Sequence, residues 1–148
     1  MITTMHTLIA VRHAKAESAH LHTRDFDRPL AQQGIEDARH AAAELVRWYP
    51  KVSAIIASPA LRTSMTAELI ASAYGWNPDR VRYDERIYEA TVSTLQDIVR
   101  ELDSIDGAVI LVGHNPGLLE LCFELTSGAT TRMSPGAVVI IPRNAAAK

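Results

Sequence analysis

The stretch from Thr7 to Glu17, TLIAVRHAKAE, is the starting point for the fold and for the site. Its first five residues are apolar or β-branched, which is typical of a short buried strand. The run ends in Arg12 and His13, and the polar residues after them cannot continue the strand. Arginine offers a rigid fork of donors that matches a phosphate or a carboxylate. Histidine titrates near neutral pH and can act as nucleophile, acid or base. On its own, the pair is an ordinary polar strand exit.

Composition limits the class of protein. A chain of 148 residues is expected to form one domain over residues 1–148. The net charge of −2 argues against nucleic acid or an anionic membrane as the main partner. The single cysteine, Cys122, lies in an apolar helical stretch, which predicts a buried structural thiol and suits a reducing cytosol. Because we find no signal peptide and no apolar run of about 20 residues, we expect a cytoplasmic protein.

Strand-like and helix-like segments alternate along the chain. Strands are predicted at 7–11, 53–57, 81–83, 108–112 and 137–141, with helices at about 32–49, 59–74, 93–102 and 118–126. The run at 108–112 is apolar throughout, which implies a central strand buried on both faces. The alternation indicates an α/β sheet, whose sites lie beyond the carboxyl ends of its strands.

The helix after the second strand carries Arg62 in its first turn. Cations are usually disfavoured there, because the helix dipole is positive at that end. Beside free backbone N–H groups, however, an arginine strengthens an anion site. If Arg62 stood alone, an exposed surface arginine would be the simpler interpretation. The inner face of this helix is predicted to consist of Leu61, Met65, Leu69 and Ala73.

A polar stretch from residue 14 to residue 30 separates the first strand from the first helix. A connection of this length within a compact domain is usually functional or disordered. His20 and His22 could be half of a metal site, but two imidazoles without spaced partner ligands favour solvated loop residues. We therefore predict no metal site and no cofactor.

Three strand ends now carry polar groups: Arg12 with His13, the turn from Ser58 to Arg62, and His114. In an α/β sheet they would converge on one crevice. This ordered set resembles the histidine phosphatase superfamily, and within it the small SixA-type phosphohistidine phosphatases. The resemblance spans nearly the whole chain and rests on RHAKAE at 12–17, DRPL at 27–30 with Gly34 after it, SPALRT at 58–63, IYEAT at 87–91 and LVGHNPG at 111–117. It implies a mixed, mainly parallel sheet flanked by helices on both faces, as in phosphoglycerate mutase-like folds.

The resemblance also implies chemistry, namely transfer of a phosphoryl group to a histidine and then to water, without a metal. His13 resembles the nucleophile of the family, Arg12 and Arg62 resemble its phosphate clamps, and His114 resembles the second histidine of the pocket. Glu89 lies where many relatives place the proton donor, although this match is looser.

Arg28 belongs to the DRPL motif and has several open roles. It is a further contact with the phosphate, a contact with a partner protein, or a structural ion-pair residue. Two positions depart from the family pattern. Ala14 replaces the glycine of the wider superfamily's Arg-His-Gly, although alanine is common in this branch. Ala31 stands where relatives often have Ser or Thr, which would remove a helix cap worth about 1 kcal/mol.

The residue types fit phosphoryl transfer on physical grounds as well. A phosphate at two guanidiniums and a helix N-terminus gains charge-assisted hydrogen bonds, and the positive charge favours the unprotonated form of His13. We expect a phosphatase acting on phosphohistidine in a protein, such as a histidine phosphotransfer domain. Two alternatives stay open: a phosphomonoesterase of the same fold acting on a small phosphorylated metabolite, and a non-catalytic module that binds a phosphorylated partner.

Overall fold

The computed structural model describes residues 4–21 and 24–143. In chain order its strands are β1 (Met5–Arg12), β2 (Ala54–Ala57), β3 (Arg82–Tyr83), β4 (Gly107–Gly113) and β5 (Val138–Pro142). They form a sheet in the order β3-β2-β4-β1-β5. β4 pairs in parallel with β1 and β2, β3 is parallel to β2, and β5 is antiparallel to β1. The expected mixed, mainly parallel sheet is confirmed.

Helices cover both faces of this sheet, which also confirms the expectation. They are α1 (Gln32–Trp48), α2 (Leu61–Ala73), α3 (Val92–Leu102) and α4 (Gly117–Leu125). Leu8 and Ala10 of β1 pack in the core with α3 and α4, whereas Ile9 and Val11 pack in the core with α1 and α2. Successive strand residues point to opposite faces, so a strand covered on both sides must be apolar at every position.

The inner face of α2 differs from the prediction. Leu61 is 39% exposed and Ala73 is also exposed. Met65 and Leu69 lie on the side of α2 and are only half-buried, where they pack against the small cluster of Ala14, Leu30 and Ala38. The face of α2 that is buried consists mostly of smaller side chains. Its buried residues are Arg62, Thr63, Thr66, Ala67, Ile70 and Ala71. This rotation of the helix turns Arg62 inward.

The start of α1 holds the segment that follows His13. The backbone N–H of Ala31 donates to the carbonyl of Lys15 at 2.9 Å. A Cβ on Gly34 would lie 2.1 Å from the same carbonyl oxygen, so only glycine allows the helix to approach this closely. Ala31 is the N-cap of α1 and makes no side-chain cap bond, which agrees with the missing Ser or Thr.

Two further expectations concern Cys122 and the membrane. Cys122 is a free, buried cysteine, and burial raises the pKa of its thiol to about 11, which agrees with a structural thiol. In the part of the chain that the structure describes, no helix combines the length and the apolarity needed to cross a membrane.

Candidate active site

Two neighbouring parallel strands bring His13 and His114 together. The Cα of Arg12, the last residue of β1, pairs with that of Gly113, the last residue of β4. The backbone N–H of His13 donates to the Gly113 carbonyl at 3.1 Å. The next residue of each chain segment is therefore carried to the same edge of the sheet, and the imidazole centroids of His13 and His114 lie 5.4 Å apart.

The third strand, β2, adds Ser58 and Arg62 to the same edge. The Ser58 backbone N–H donates to the Val112 carbonyl of β4 at 3.2 Å, and Ser58 Oγ lies 2.8 Å from Nε2 of His114. Helix α2 begins at Leu61 and presents Arg62, which is only 6% exposed. We call four of these side chains the floor of the site: Arg12, His13, Arg62 and His114.

The hydrogen bond of His13 determines which of its nitrogens is free. Nδ1 lies 2.7 Å from the Ala14 carbonyl, which can only accept, so Nδ1 carries the hydrogen. Burial lowers the pKa of His13 to about 4, opposed by the bond to Ala14 and assisted by the charges of Arg62 and Arg12. At neutral pH the ring is therefore uncharged, and Nε2 holds a free lone pair.

Positive charge is concentrated at the floor. Burial lowers the pKa of His114 to about 3, and the charge of Arg62 acts in the same direction. Burial and the charge of Arg62 also lower the pKa of the Arg12 guanidinium, although an arginine stays protonated at neutral pH. These repulsions occur in a chain whose net charge is −2, so the floor is a local cationic site.

The floor is also short of hydrogen-bond partners. Within residues 4–21 and 24–143, three of its buried nitrogens have none: Arg12 Nε, Arg62 Nε and His114 Nδ1. A buried polar group without a partner costs about 1–3 kcal/mol. An oxyanion at the floor would supply acceptors and relieve the repulsion between Arg12 and Arg62.

Asp25 joins several of the charged groups around the floor. Arg62 donates from Nη1 to the Asp25 carbonyl at 2.8 Å and from Nη2 to Oδ2 at 3.0 Å. Tyr88 Oη donates to Oδ2 at 2.7 Å, and Arg28 Nε donates to Oδ1 at 2.9 Å. Burial opposes the charge of Asp25, but these bonds from Tyr88, Arg28 and Arg62 prevail and lower its pKa to about 2. The sequence marked Asp25 only as part of a long polar connection.

Arg28 makes structural contacts. Besides the Asp25 carboxylate, its Nη1 donates to the Glu17 carbonyl at 2.9 Å. Among the open roles, these contacts favour the ion-pair role. Its positive charge also contributes to the low pKa of His13, so Arg28 affects the floor through a longer-range electrostatic interaction.

A cavity of about 620 Å³ lies over Arg62 and His114 and is also lined by Glu89 and Glu120. Glu89 is exposed, and its φ of +54° lies in the left-handed region that side chains other than glycine rarely adopt. The backbone beside it is packed on α4, because a Cβ on Gly117 would lie 2.3 Å from the Ala90 carbonyl oxygen. We call the outer charged residues the rim: Asp25, Arg28, Glu89 and Glu120.

Two further cavity residues, Tyr88 and Asn115, were given no role from the sequence. The Tyr88 ring meets His114 edge-on, with centroids 5.5 Å apart. Asn115 Nδ2 and Arg12 Nη1 each donate to the Met133 carbonyl at 3.0 Å. Each residue adjoins a predicted site residue in sequence, which is the one signal that points to it.

Metal ligands do not cluster in the described chain. Over residues 4–21 and 24–143, no group of three or more His, Cys, Asp or Glu side chains could hold a metal ion. His20 is exposed, and His22 lies outside the described residues.

Comparison with known proteins identifies the family. The model of the histidine phosphatase superfamily (branch 1) matches residues 8–130. An uncharacterized chloroplastic protein of Arabidopsis thaliana is 32% identical over 136 residues, which cover 85% of this chain and 61% of that protein. The chain spans about three fifths of the length of this relative and of the uncharacterized Mycobacterium tuberculosis proteins that it matches.

Solved structures agree on the fold. A candidate phosphohistidine phosphatase SixA from Agrobacterium tumefaciens superposes with a TM-score of 0.82 at 23% identity, over 94% of this chain and 92% of that one. A mycobacterial glucosyl-3-phosphoglycerate phosphatase gives a TM-score of 0.70 at 17% identity, over 91% and 89% of the two chains. Similarity at these identities speaks for the fold alone. Because the family model matches most of its length, the chain belongs to branch 1 of the histidine phosphatase superfamily.

Proposed function

We propose that this protein is a metal-independent phosphatase that forms a covalent phosphohistidine on His13. Its main substrate in this proposal is phosphohistidine in a protein such as a histidine phosphotransfer domain. The observation that carries the proposal is the free Nε2 of a neutral, buried imidazole beside two guanidiniums. The hydrogen bond from Nδ1 to Ala14 and the pKa of about 4 both support that state of His13.

Binding uses the cationic groups of the floor. Phosphate oxygens accept hydrogen bonds from Arg12 and Arg62, whose Nε groups lack partners in the described chain. His114, which follows the neighbouring strand β4, adds a ring nitrogen that hydrogen-bonds to the phosphate. These fixed donors stabilise charge on the transferred phosphoryl group without reorganising during the reaction.

The reaction then proceeds in two steps. His13 Nε2 attacks phosphorus, and the new P–N bond forms as the bond to the leaving group breaks. Water next attacks the phosphoryl group on His13, which releases phosphate and restores the lone pair of Nε2. For an alkyl phosphate, Glu89 in its protonated form donates a proton to the alkoxide leaving group. As the carboxylate, which is its state when no alkoxide is to be protonated, it takes a proton from the attacking water. His114 is a weak base, since its pKa is about 3, and it suits a hydrogen-bonding role.

Two other functions remain candidates. A small-molecule phosphomonoesterase is supported by the cavity of about 620 Å³, which has room for a metabolite, and by the shared fold with glucosyl-3-phosphoglycerate phosphatase. A non-catalytic phosphoprotein-binding module would not require a free, neutral nucleophile. The presence of all four floor residues therefore disfavours that module.

A trapping experiment tests the covalent mechanism. The enzyme is denatured during turnover of a substrate whose phosphoryl group carries ³²P, and the label is mapped to a residue. We expect acid-labile, base-stable label on His13, and none on a His13→Ala variant. His40→Ala is the matched control, because His40 is exposed on α1 and does not line the cavity. Label on a serine or an aspartate, or full activity in His13→Ala, would refute the mechanism.

A turnover screen tests the substrate and the independence from metal. The rates for a phosphohistidine protein and for a panel of alkyl phosphates are compared before and after exhaustive EDTA treatment. We expect the phosphohistidine protein to be preferred and the rates to survive chelation. Negligible turnover of phosphohistidine would favour the phosphomonoesterase. Activity that is lost with EDTA and restored by magnesium would contradict metal independence.

A further inference from the structure

The cavity over Arg62 and His114 has an uneven distribution of charge. Among the lining side chains of the described residues, Arg62 is the one permanent cation, whereas Asp25, Glu89 and Glu120 are carboxylates. His114 is neutral at pH 7, since burial lowers its pKa to about 3. The anion-binding groups therefore lie at the bottom of a cavity whose outer wall is acidic.

The three carboxylates differ in how far their charge is compensated. Asp25 is neutralised by ion pairs with Arg62 at 3.0 Å and Arg28 at 2.9 Å. Neither Glu89 nor Glu120 has an ion-pair partner in the described part of the chain. Both are exposed, so their negative charge acts on whatever occupies the cavity.

A ligand at this place is indicated by a second observation. Arg62 and His114 line the same cavity, are 6% and 9% exposed, and each has a buried nitrogen without a partner in the described residues. The buried nitrogens of Arg62 and His114 therefore favour an anion, and the carboxylates above them repel a second anion. The cavity as a whole suits a ligand that carries a negative charge at one end and a positive charge at the other.

Resting on the proposed function, we propose that Glu89 and Glu120 select phosphoryl groups that have a positive charge beside them and reject those beside another anion. The substrate class is a phosphorylated basic group, such as a protonated phosphoimidazole, or a phosphate ester that carries an ammonium. Polyanionic phosphates are disfavoured. Glu120 is a specificity-determining residue in this proposal, and it acts through its field without taking part in bond making.

Charge selection should be measurable with two small phosphates of similar size. Aminoethyl phosphate carries an ammonium beside its phosphate, and carboxymethyl phosphate carries a carboxylate. Their dissociation constants are measured by calorimetry at pH 7.5 and about 0.15 M ionic strength, where the screening length is about 8 Å. A His13→Asn background prevents turnover. An exposed charge pair contributes modestly to the free energy of binding. Removing the negative charge of Glu120 should weaken the binding of aminoethyl phosphate and strengthen that of carboxymethyl phosphate. We expect tighter binding of aminoethyl phosphate, with the ratio of affinities falling about fivefold in Glu120→Gln and more than about tenfold in Glu120→Lys.

The matched control is Glu124→Lys, one turn further along α4. Glu124 is exposed but does not line the cavity. We expect this variant to leave the ratio of affinities within about twofold of its starting value, because surface charges at a distance are screened by water and salt. A ratio that is unchanged in Glu120→Lys, or equally changed in Glu124→Lys, would overturn the inference. Failure of both probes to bind would do the same.

The outcome is separable from that of the proposed function. A wild-type protein that hydrolyses no phosphohistidine protein and no alkyl phosphate, yet keeps the charge-dependent binding ratio, would refute the phosphatase and support the selection. A protein that hydrolyses phosphohistidine with no effect of Glu120 on the ratio would support the phosphatase and refute the selection.

Discussion

The floor and the rim of the site are built in different ways. His13 and His114 follow directly on paired strands and are 8% and 9% exposed, and Arg62 lies in the first turn of a helix at 6%. Rim residues such as Glu89 and Glu120 are exposed. Backbone hydrogen bonds between neighbouring strands position the two histidines of the floor. The rim residues come from separate places, namely the 3-10 turn of Asp25, the segment of Glu89 before α3, and helix α4 with Glu120.

This difference has an energetic consequence. Charges at the floor act in a medium of low polarity, where fixed donors have strong effects on a transition state. Charges at the rim are in contact with water, which screens them. We therefore expect substitutions at the floor to change rates by orders of magnitude, and substitutions at the rim to change selectivity or positioning by smaller factors.

The largest effect is expected at Arg62. Arg62→Ala should lower kcat/KM by about 10²–10³-fold, because it removes buried donors aimed at developing charge. Arg62→Lys should recover part of this loss, since it restores the charge but not the bidentate fork. Arg39→Ala on the exposed side of α1 serves as the control, and thermal unfolding checks that each variant folds. If alanine and lysine were equally active at Arg62, the clamp assignment would be wrong.

Glu89 should show a substrate-dependent effect. An alkoxide needs a proton to leave, and a positioned general acid contributes at least about 10²-fold to such a step. When the substrate is protonated phosphohistidine, the leaving group is a neutral imidazole, which needs little assistance from a general acid. Glu89→Gln should therefore slow alkyl phosphate turnover about 10²-fold and phosphohistidine turnover by less than about threefold. The nearby exposed Glu85→Gln is the control. Equal losses on both substrates would remove Glu89 from the role of proton donor.

The histidines of the floor should make folding depend on pH. Their pKa values are about 4 and 3 in the folded chain, against 6.5 for an ordinary histidine. Below pH 6.5 the unfolded chain binds protons that the folded chain does not, so stability should fall as the pH drops from 7 towards 4. Each histidine should contribute about 2 kcal/mol to this loss at pH 5.

Urea titrations at pH 7 and pH 5 measure this dependence. The double variant His13→Asn, His114→Asn should lose less stability between the two values than the wild type. His40→Asn, a substitution of an exposed histidine, should behave as the wild type does. The same slope in the double variant and the wild type would show that the floor histidines titrate normally.

Asp25 should have the smallest effect of the four. Asp25→Asn weakens the bond that Oδ2 accepts from Arg62 but leaves the bond from Arg62 to the Asp25 backbone carbonyl, so we expect a loss of about fivefold to tenfold in kcat/KM. Most of the loss should appear in kcat if Asp25 orients Arg62 for the transition state. Asp27→Asn is the matched control, since Asp27 lies in the same 3-10 turn and pairs with Arg24. Increased activity of Asp25→Asn would instead mean that Asp25 competes with phosphate for Arg62.

The floor was largely predictable because its signals are local. An apolar run that ends in polar residues gives a strand end, and parallel strands bring their carboxyl ends together. β1 and β4 were predicted within two residues at each end, and both histidines follow them directly. The inner face of α2 was not predictable in this way. Leu61 and Met65 are more apolar than Thr63 and Ala67, yet close packing on the sheet favours the smaller side chains.

The order of the elements, the family motifs and the four residues of the floor could all be predicted from the amino-acid sequence. The partners of Asp25 could not, because they depend on contacts in three dimensions. Asp25 meets Arg62 across 37 positions and Tyr88 across 63, and no local pattern encodes contacts between segments so far apart. The free nitrogen of His13 was also decided in three dimensions, because burial and the carbonyl of Ala14 set its charge and its hydrogen. Residue type gives a side chain its chemistry, and the packed environment sets its protonation and its partners.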